Sequence, residues 1–255
     1  MIVIDEQLKE YLKTLADKYE NKDFYNGDPS CILLRYQKID DIECASFISA
    51  MLAFGRRDQF LKKIDFIMEK ADKHGGPAQW LLQKKYLMDF IPGNVKADDK
   101  FYRFYSWTDL IALFECLSNI LEKGLGFGGY IRMCHEKMNQ HLSQALCSCF
   151  VGCKIVPQGK NSANKRVHMF LRWMVRQNSS VDLGLWDWYN PSDLIIPLDT
   201  HVMQESVKLG LLPEKSNGSS KTALQLTEAL RQIWPDDPCR GDYALFGVGV
   251  SQSAH

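Results

Sequence analysis

The chain has 255 residues, of which 45% are hydrophobic and 24% charged, and 31 basic residues balance 31 acidic ones. This composition is that of a folded globular protein and excludes an intrinsically disordered chain. The longest apolar runs are too short to cross a bilayer, and the N-terminus turns acidic at Asp5 without a basic and then apolar segment. We therefore expect no signal peptide, no membrane partner and a cytoplasmic location.

The first half of the chain shows the periodicity of amphipathic helices. In the first of them, apolar side chains recur three and four residues apart at Leu8, Leu12 and Leu15. Ser106 is a residue type that caps a helix N-terminus, and Gly55 is a type that ends a helix. The predicted helices cover about residues 5–20, 40–55 (capped by Asp40 and Asp41), 58–70, 78–86, 106–123 and 131–151.

The second half continues as helices separated by one long connection. Ser162 or Asn164 is expected to cap one helix, and Asp199 is expected to cap the next. Residues 177–197 between them lack periodicity, and structureless stretches of this length are usually functional. No segment shows the alternation of a β-hairpin, so we predict an all-α chain. The helices predicted here cover about residues 164–176, 199–209, 221–233 and from 239 to Gly247 or Gly249.

The eight cysteines lie mostly in apolar stretches with helical spacing, where a reduced cysteine behaves as a small hydrophobic residue. A secreted protein of this size would more often place cysteines in loops as disulfides. Cys147, Cys149 and Cys153 are closely spaced but include no CxxC pair, and packing on one helix face explains them better than a metal cluster. We therefore expect reduced thiols, no metal and no other cofactor.

Charge is unevenly distributed along the chain although the net charge is zero. No Asp or Glu occurs between Lys137 and Val181. A local basic region on a neutral protein is typical of a small nucleic-acid-binding surface. A solvated surface that happens to lack acidic residues is the alternative interpretation. The basic residues of this stretch are Lys137, Lys154, Lys160, Lys165, Arg166, Arg172 and Arg176.

Three segments resemble the helix-hairpin-helix DNA glycosylases, the group that includes endonuclease III and the archaeal 8-oxoguanine glycosylases. Residues 195–202 (IIPLDTHV) resemble the segment that leads into the catalytic aspartate of that group. Residues 162–167 (SANKRV) resemble the start of the hairpin's second helix, where members with lyase activity place a lysine. Residues 43–58 resemble the early helix pair that presents a loop to the DNA strand opposite the lesion. The whole chain also resembles an uncharacterised bacterial family, a domain of unknown function.

The resemblance to glycosylases implies a two-lobed helical fold that acts in DNA repair. One lobe would cover about residues 40–176, and the other would combine residues 1–39 with 177–255. Lys165 and Asp199 would lie in the cleft between the lobes. Lys165 would displace the base and form a Schiff base with the sugar, and Asp199 would stabilise the cationic sugar or handle protons. The implied activity is a base-excising hydrolase with β-lyase activity, without the iron–sulfur cluster of endonuclease III.

The remaining site residues would hold DNA that carries a damaged base or an abasic site. An enzyme that acts on a base extrudes it from the duplex into a pocket. Trp186 and Trp188 would offer flat surfaces to that base, and His201 would line the same pocket. The backbone of the double-stranded DNA would be held by polar and basic side chains at Arg56, Arg57, Lys160, Arg166, His168, Arg172 and Arg176.

Simpler interpretations compete with each of these assignments. Asp199 is also a plain helix cap, Lys165 by itself is typical of a solvated lysine, and Trp186 with Trp188 can pin a loop to the core. At the level of function, two alternatives follow. The first is a DNA- or RNA-binding module on the same fold without catalysis, and the second is a helical protein–protein adaptor.

Overall fold

The computed structural model describes residues 3–90 and 99–253, with side chains up to Gly249 in the last helix. Helices dominate these ranges, as predicted. The α-helices are α1 (Glu6–Tyr19), α2 (Ile39–Leu52), α3 (Arg57–Asp72), α4 (Pro77–Leu82), α5 (Tyr86–Phe90), α6 (Trp107–Leu121), α7 (Gly126–Met138), α8 (Leu142–Ser148), α9 (Lys165–Val175), α10 (Thr200–Lys208), α11 (Ser220–Arg231) and α12 (Gly241–Ser253). Short 3-10 helices cover Lys22–Tyr25, Pro29–Leu34, Pro191–Asp193 and Pro238–Arg240. No helix in the described ranges is long and apolar enough to span a membrane.

One small β-hairpin departs from the all-α prediction. Strand β1 (Lys100–Tyr102) pairs in antiparallel fashion with β2 (Tyr105–Ser106). Strands of two and three residues are too short for period-two alternation to appear in the sequence. Ser106 also caps α6, as predicted, and forms a capping box with Asp109.

The chain divides into two compact units. Unit 1 comprises Met1–Asn26 and Gly159–His255, and unit 2 comprises Gly27–Gln158. This division differs from the predicted lobe boundaries near residues 40 and 176, which placed Lys165 and Asp199 in different lobes. The structure assigns both residues to unit 1, within which α9 also forms ion pairs with later residues.

Helix α2 is the central helix of unit 2. All its residues from Asp41 to Leu52 are buried. The predicted cap is wrong, because the helix begins at Ile39, and the acidic residues of its first turns contact other helices. Asp41 Oδ1 accepts a hydrogen bond of 2.9 Å from the amide of Ala78 at the start of α4. Glu43 Oε2 accepts one of 3.0 Å from the amide of Gly128 in the first turn of α7.

Replacing Asp41 by alanine is expected to lower the free energy of unfolding by about 1–2 kcal/mol, because the amide at the start of α4 loses its acceptor. Chemical denaturation measures this change. The exposed Glu69 on α3 is the control, and its replacement by alanine should cost less than about 0.5 kcal/mol. Equal stability of the two variants would show that the Asp41 hydrogen bond contributes nothing.

The single helix predicted over residues 131–151 is two helices. Helix α7 ends at Met138 because Asn139 adopts the left-handed conformation, with φ of 49°. Asparagine tolerates this conformation better than most residues and often terminates helices. His141 then caps α8, since its Nδ1 accepts a hydrogen bond of 3.2 Å from the amide of Ser143.

Helix α12 continues to Ser253, beyond the glycines that were predicted to end it. A Cβ atom at Gly247 would lie 2.2 Å from the ring of Tyr19, and one at Gly249 would lie 1.9 Å from Nε2 of His201. The glycines therefore permit α1 and α10 to approach α12 closely, and packing rather than helix termination explains them.

Candidate functional site

Lys165 and Asp199, which were expected to share one cleft, form an ion pair with each other. Lys165 Nζ lies 2.9 Å from Asp199 Oδ2, and the two side chains are 38% and 33% exposed. Lys165 is the first residue of α9, and Asp199 is the N-cap of α10. An amine and a carboxylate are thus brought together at two helix N-termini, where solvent and a ligand can reach them.

The loop before α9 positions Lys165. Asn164 adopts the left-handed conformation, with φ of 45°, and its side-chain amide donates a hydrogen bond of 3.0 Å to the carbonyl of Gly159. The amide of Ala163 donates to the carbonyl of Gly218 at 3.1 Å, just before α11 begins. The loop is therefore held both by its own hydrogen bonds and by the start of another helix, so the lysine begins α9 from a fixed backbone.

The two oxygens of Asp199 have different roles. Oδ1 accepts a hydrogen bond of 2.8 Å from the amide of Val202, which confirms Asp199 as a helix cap, and Oδ2 pairs with Lys165. Burial alone would raise the pKa of Asp199, but the Lys165 ammonium and the Val202 amide hold that pKa below its ordinary value. The carboxylate is therefore ionised at neutral pH and is available to stabilise a positive charge.

Asp242 is a second acidic residue near this pair, and the sequence analysis did not identify it. It lies in the first turn of α12 and forms an ion pair with Arg172. Burial raises its pKa to about 6, with Arg172 opposing that rise and the charge of Asp199 adding to it. The signal in the sequence was weak, because an acidic residue in the first turn of a helix is usually explained by the helix dipole.

Arg176 is buried in an ion-pair network rather than exposed to DNA. Its side chain is 1% exposed. Its guanidinium makes a bidentate contact with Asp237, with N–O distances of 2.8 and 2.7 Å, and pairs with Glu20 at 2.8 Å and with Asp182. Burial would lower the pKa of Arg176, but these carboxylates raise it above its ordinary value.

Arg172 belongs to the same network. Its Nε lies 3.3 Å from Asp182 Oδ1, it pairs with Asp242, and its guanidinium lies over the ring of Tyr243 at 4.5 Å. The expectation that Arg172 and Arg176 hold a DNA backbone is therefore wrong, because both are buried and already neutralised by carboxylates. The apolar side chains of α9, such as Val167, Phe170 and Met174, are buried, and the face that carries the two arginines is buried as well.

The predicted base pocket is only partly accessible. Trp186 is 1% exposed, with the edge of its ring system against Phe170, and it cannot receive a base as it lies. Trp188 is half-buried and stacks on Trp186 with ring centroids 5.5 Å apart. His168 is buried within α9, so the prediction that it contacts DNA is wrong as well. His201 is exposed in the first turn of α10, and its charge contributes to lowering the pKa of Asp199.

The other predicted DNA contacts remain at the surface. Lys160 is exposed, and Arg166 is half-buried beside Lys165. In unit 2, Arg56 is exposed and contacts Asp58 through two nitrogens at 3.0 and 3.1 Å. The neighbouring Arg57 is also exposed.

The described residues contain no group of His, Cys, Asp and Glu side chains that could hold a metal ion. All eight cysteines are free thiols. The side chains at the candidate site offer an amine, carboxylates and an imidazole.

The fold and the site define a mostly helical protein with a lysine–aspartate ion pair at two helix N-termini. The chain belongs to the family described as a protein of unknown function (DUF2400), whose family model matches residues 28–251. No curated protein matches the chain, and no solved structure matches it either. The expected membership of a family of unknown function is confirmed, and the likeness to helix-hairpin-helix glycosylases stays a prediction.

Proposed function

We propose that this protein is a DNA base-excision glycosylase with β-lyase activity at abasic sites, acting on double-stranded DNA. The observation that carries the proposal is the 2.9 Å contact between Lys165 Nζ and Asp199 Oδ2. These are the two residues that a lysine-dependent glycosylase needs close together, a nucleophilic amine and a carboxylate that stabilises the sugar cation. Lys165 is the first residue of α9, which is where the glycosylases with lyase activity that the sequence resembles place their lysine.

The chemical steps use the residues of unit 1. Lys165 loses a proton to water, and its amine attacks the sugar carbon that carries the base. The carbon–nitrogen bond to the base breaks, and the base leaves with the electron pair and takes up a proton. Ring opening gives a Schiff base. Elimination then removes a proton from the 2′ carbon, forms a carbon–carbon double bond, breaks the 3′ carbon–oxygen bond and releases the phosphate. At an abasic site the amine condenses with the aldehyde instead, and water is released.

Asp199 and Asp242 have different roles in this scheme. Asp199, whose pKa is held below its ordinary value, stays ionised and stabilises the positive charge that develops on the sugar. Asp242, whose pKa is raised to about 6, is suited to exchange a proton near neutral pH. Enzymes commonly use two carboxylates whose pKa values differ. The one with the lower pKa stays negatively charged, and the one with the higher pKa carries a proton.

Sodium borohydride trapping tests the proposal. The protein is incubated with duplexes that carry an abasic site or 8-oxoguanine, with and without borohydride, and an undamaged duplex is the control. A covalent protein–DNA band that requires both borohydride and the lesion is expected, because reduction fixes the Schiff base. Absence of the band on every damaged duplex would exclude a lysine-dependent lyase.

A non-catalytic nucleic-acid-binding module is the second candidate. It is favoured by the fact that Asp199 already caps α10 and pairs with Lys165, so a purely structural ion pair accounts for both side chains. Such a module would bind nucleic acid with an affinity that falls steeply with salt, and Lys165→Gln would weaken it only by the loss of one charge.

A further inference from the structure

The turn of the small hairpin in unit 2 has an unusual composition. The pairing of Tyr102 with Tyr105 leaves two residues at the tip, Arg103 and Phe104. Two-residue hairpin turns strongly prefer asparagine, aspartate and glycine, because these residues accept a positive φ. An arginine and a phenylalanine at such a tip are not explained by the needs of the turn.

Arg103 is also held in an unfavourable backbone conformation. Its φ is 53°, in the left-handed region that residues with long side chains rarely adopt. Such conformations persist where the surroundings enforce them, and they cluster at functional sites. The hairpin is fixed to the loop after α2, since the Tyr102 hydroxyl donates a hydrogen bond of 2.6 Å to the carbonyl of Phe54.

The tip presents an aromatic ring to solvent. Phe104 is 57% exposed, although it is one of the largest apolar side chains. One side of it contacts Phe54 and Tyr105, with ring centroids 5.2 and 4.6 Å away, and these contacts fix its orientation. A rigid, exposed ring of this kind can stack on a flat ligand at a low cost in conformational entropy.

Cationic side chains lie at the hairpin tip and next to it. Lys154 Nζ lies 3.4 Å from the carbonyl oxygen of Phe104, and the Lys154 side chain is 58% exposed. The Arg103 guanidinium lies 5.7 Å from the centre of the Phe54 ring, and Arg56 is exposed on the loop that follows Phe54. Two carboxylates, on Asp58 and Asp109, pair with Arg56 and Lys154, so the cluster keeps an excess of positive charge.

We propose that the hairpin tip is a binding surface for single-stranded nucleic acid, with Phe104 stacking on an unpaired base and Arg103 and Lys154 contacting the adjacent phosphates. The choice of nucleic acid rather than protein rests on the proposed function. Aromatic rings that alternate with cations are the usual means by which proteins bind single strands without sequence preference. This surface lies in unit 2, whereas the lysine–aspartate pair lies in unit 1.

Fluorescence anisotropy with labelled 20-nucleotide DNA and RNA strands tests the inference, and the two strands distinguish DNA from RNA as the ligand. Phe104→Leu keeps an apolar side chain but removes the ring, and it is expected to weaken binding about tenfold. Phe104→Trp keeps a ring and should bind within about twofold of the wild type. Tyr11→Leu removes another exposed aromatic ring, on α1, and should have no effect.

Three outcomes overturn the inference: no binding of either strand by the wild type, unchanged binding by Phe104→Leu, or equal losses in Phe104→Leu and Phe104→Trp. Borohydride trapping on an abasic duplex, at saturating protein, separates this inference from the proposed function. Trapping together with unchanged binding by Phe104→Leu removes only the stacking surface. Weaker binding by Phe104→Leu without any trapping supports the surface and removes only the lyase.

Discussion

Replacing Arg176 by methionine is expected to lower the free energy of unfolding by about 3–5 kcal/mol. The guanidinium is 1% exposed and pairs with Glu20, Asp182 and Asp237. Without it, Asp237 would lose its guanidinium partner, and Asp182 and Glu20 would keep only Arg172 and Arg240, so the desolvation of these carboxylates would be compensated far less. Since domains are commonly stable by about 5–15 kcal/mol, such a loss removes a large part of the total. Chemical denaturation of the purified variant measures it.

Arg132 provides a matched control for this prediction. It pairs with Glu136 one helical turn away on α7, at 2.8 Å, but the two side chains are 52% and 60% exposed. Arg132→Met should therefore cost only about 0.3–0.5 kcal/mol, because an exposed pair is screened by solvent. Similar losses in Arg132→Met and Arg176→Met would mean that the buried network contributes no more than a surface ion pair.

The network extends to the candidate site. Arg172 pairs with both Asp182 and Asp242, and Asp182 also pairs with Arg176. Asp242 in turn is close enough to Asp199 and Lys165 for their charges to change its pKa. A disturbance of the network would therefore alter the protonation of Asp242 as well as the stability of unit 1.

Local features of the fold could be predicted from the sequence, and features that depend on distant partners could not. The caps at Ser106 and Asp199 were identified because a capping side chain bonds to amides only a few residues away. Helix α9 was also identified, but its basic residues Arg172 and Arg176 were assigned to DNA contacts. Its arginines are buried because their acidic partners, such as Glu20 and Asp237, lie far away in the sequence, where no short pattern reveals them.

At the candidate site, too, local features could be predicted and those that depend on distant residues could not. Its pairing of Lys165 with Asp199 was anticipated only through the resemblance to glycosylases, since 34 residues separate the two in the sequence. Asp242 was not identified because no sequence motif marks it. Its raised pKa comes from burial in the fold. Trp186 was assigned to a base pocket because aromatic residues in a long loop suggest binding, but its ring is part of the core. Burial, which decided these cases, is a property of the whole fold.

Lys165→Gln is expected to abolish the adduct trapped by borohydride on a duplex with an abasic site. Glutamine has nearly the same length as lysine but lacks a nucleophilic amine, so no Schiff base can form. Asp199→Asn keeps the shape and a cap oxygen for the Val202 amide but removes the charge. On a duplex with 8-oxoguanine, where the base must leave first, it should slow adduct formation by about 10²–10³-fold, the usual effect of removing one electrostatic contact to the transition state. Single-turnover trapping over time measures both variants.

Lys160→Gln is the matched control, because it removes an equal charge from an exposed lysine in the loop that precedes α9. It should reduce binding only through the loss of one phosphate contact, an effect that saturating protein overcomes, so the trapped fraction stays at the wild-type level. If Lys165→Gln still formed the adduct, another amine would be the nucleophile and the ion pair with Asp199 would be structural. If Lys160→Gln lost the adduct at saturating protein, charge at this loop rather than a particular amine would explain the loss.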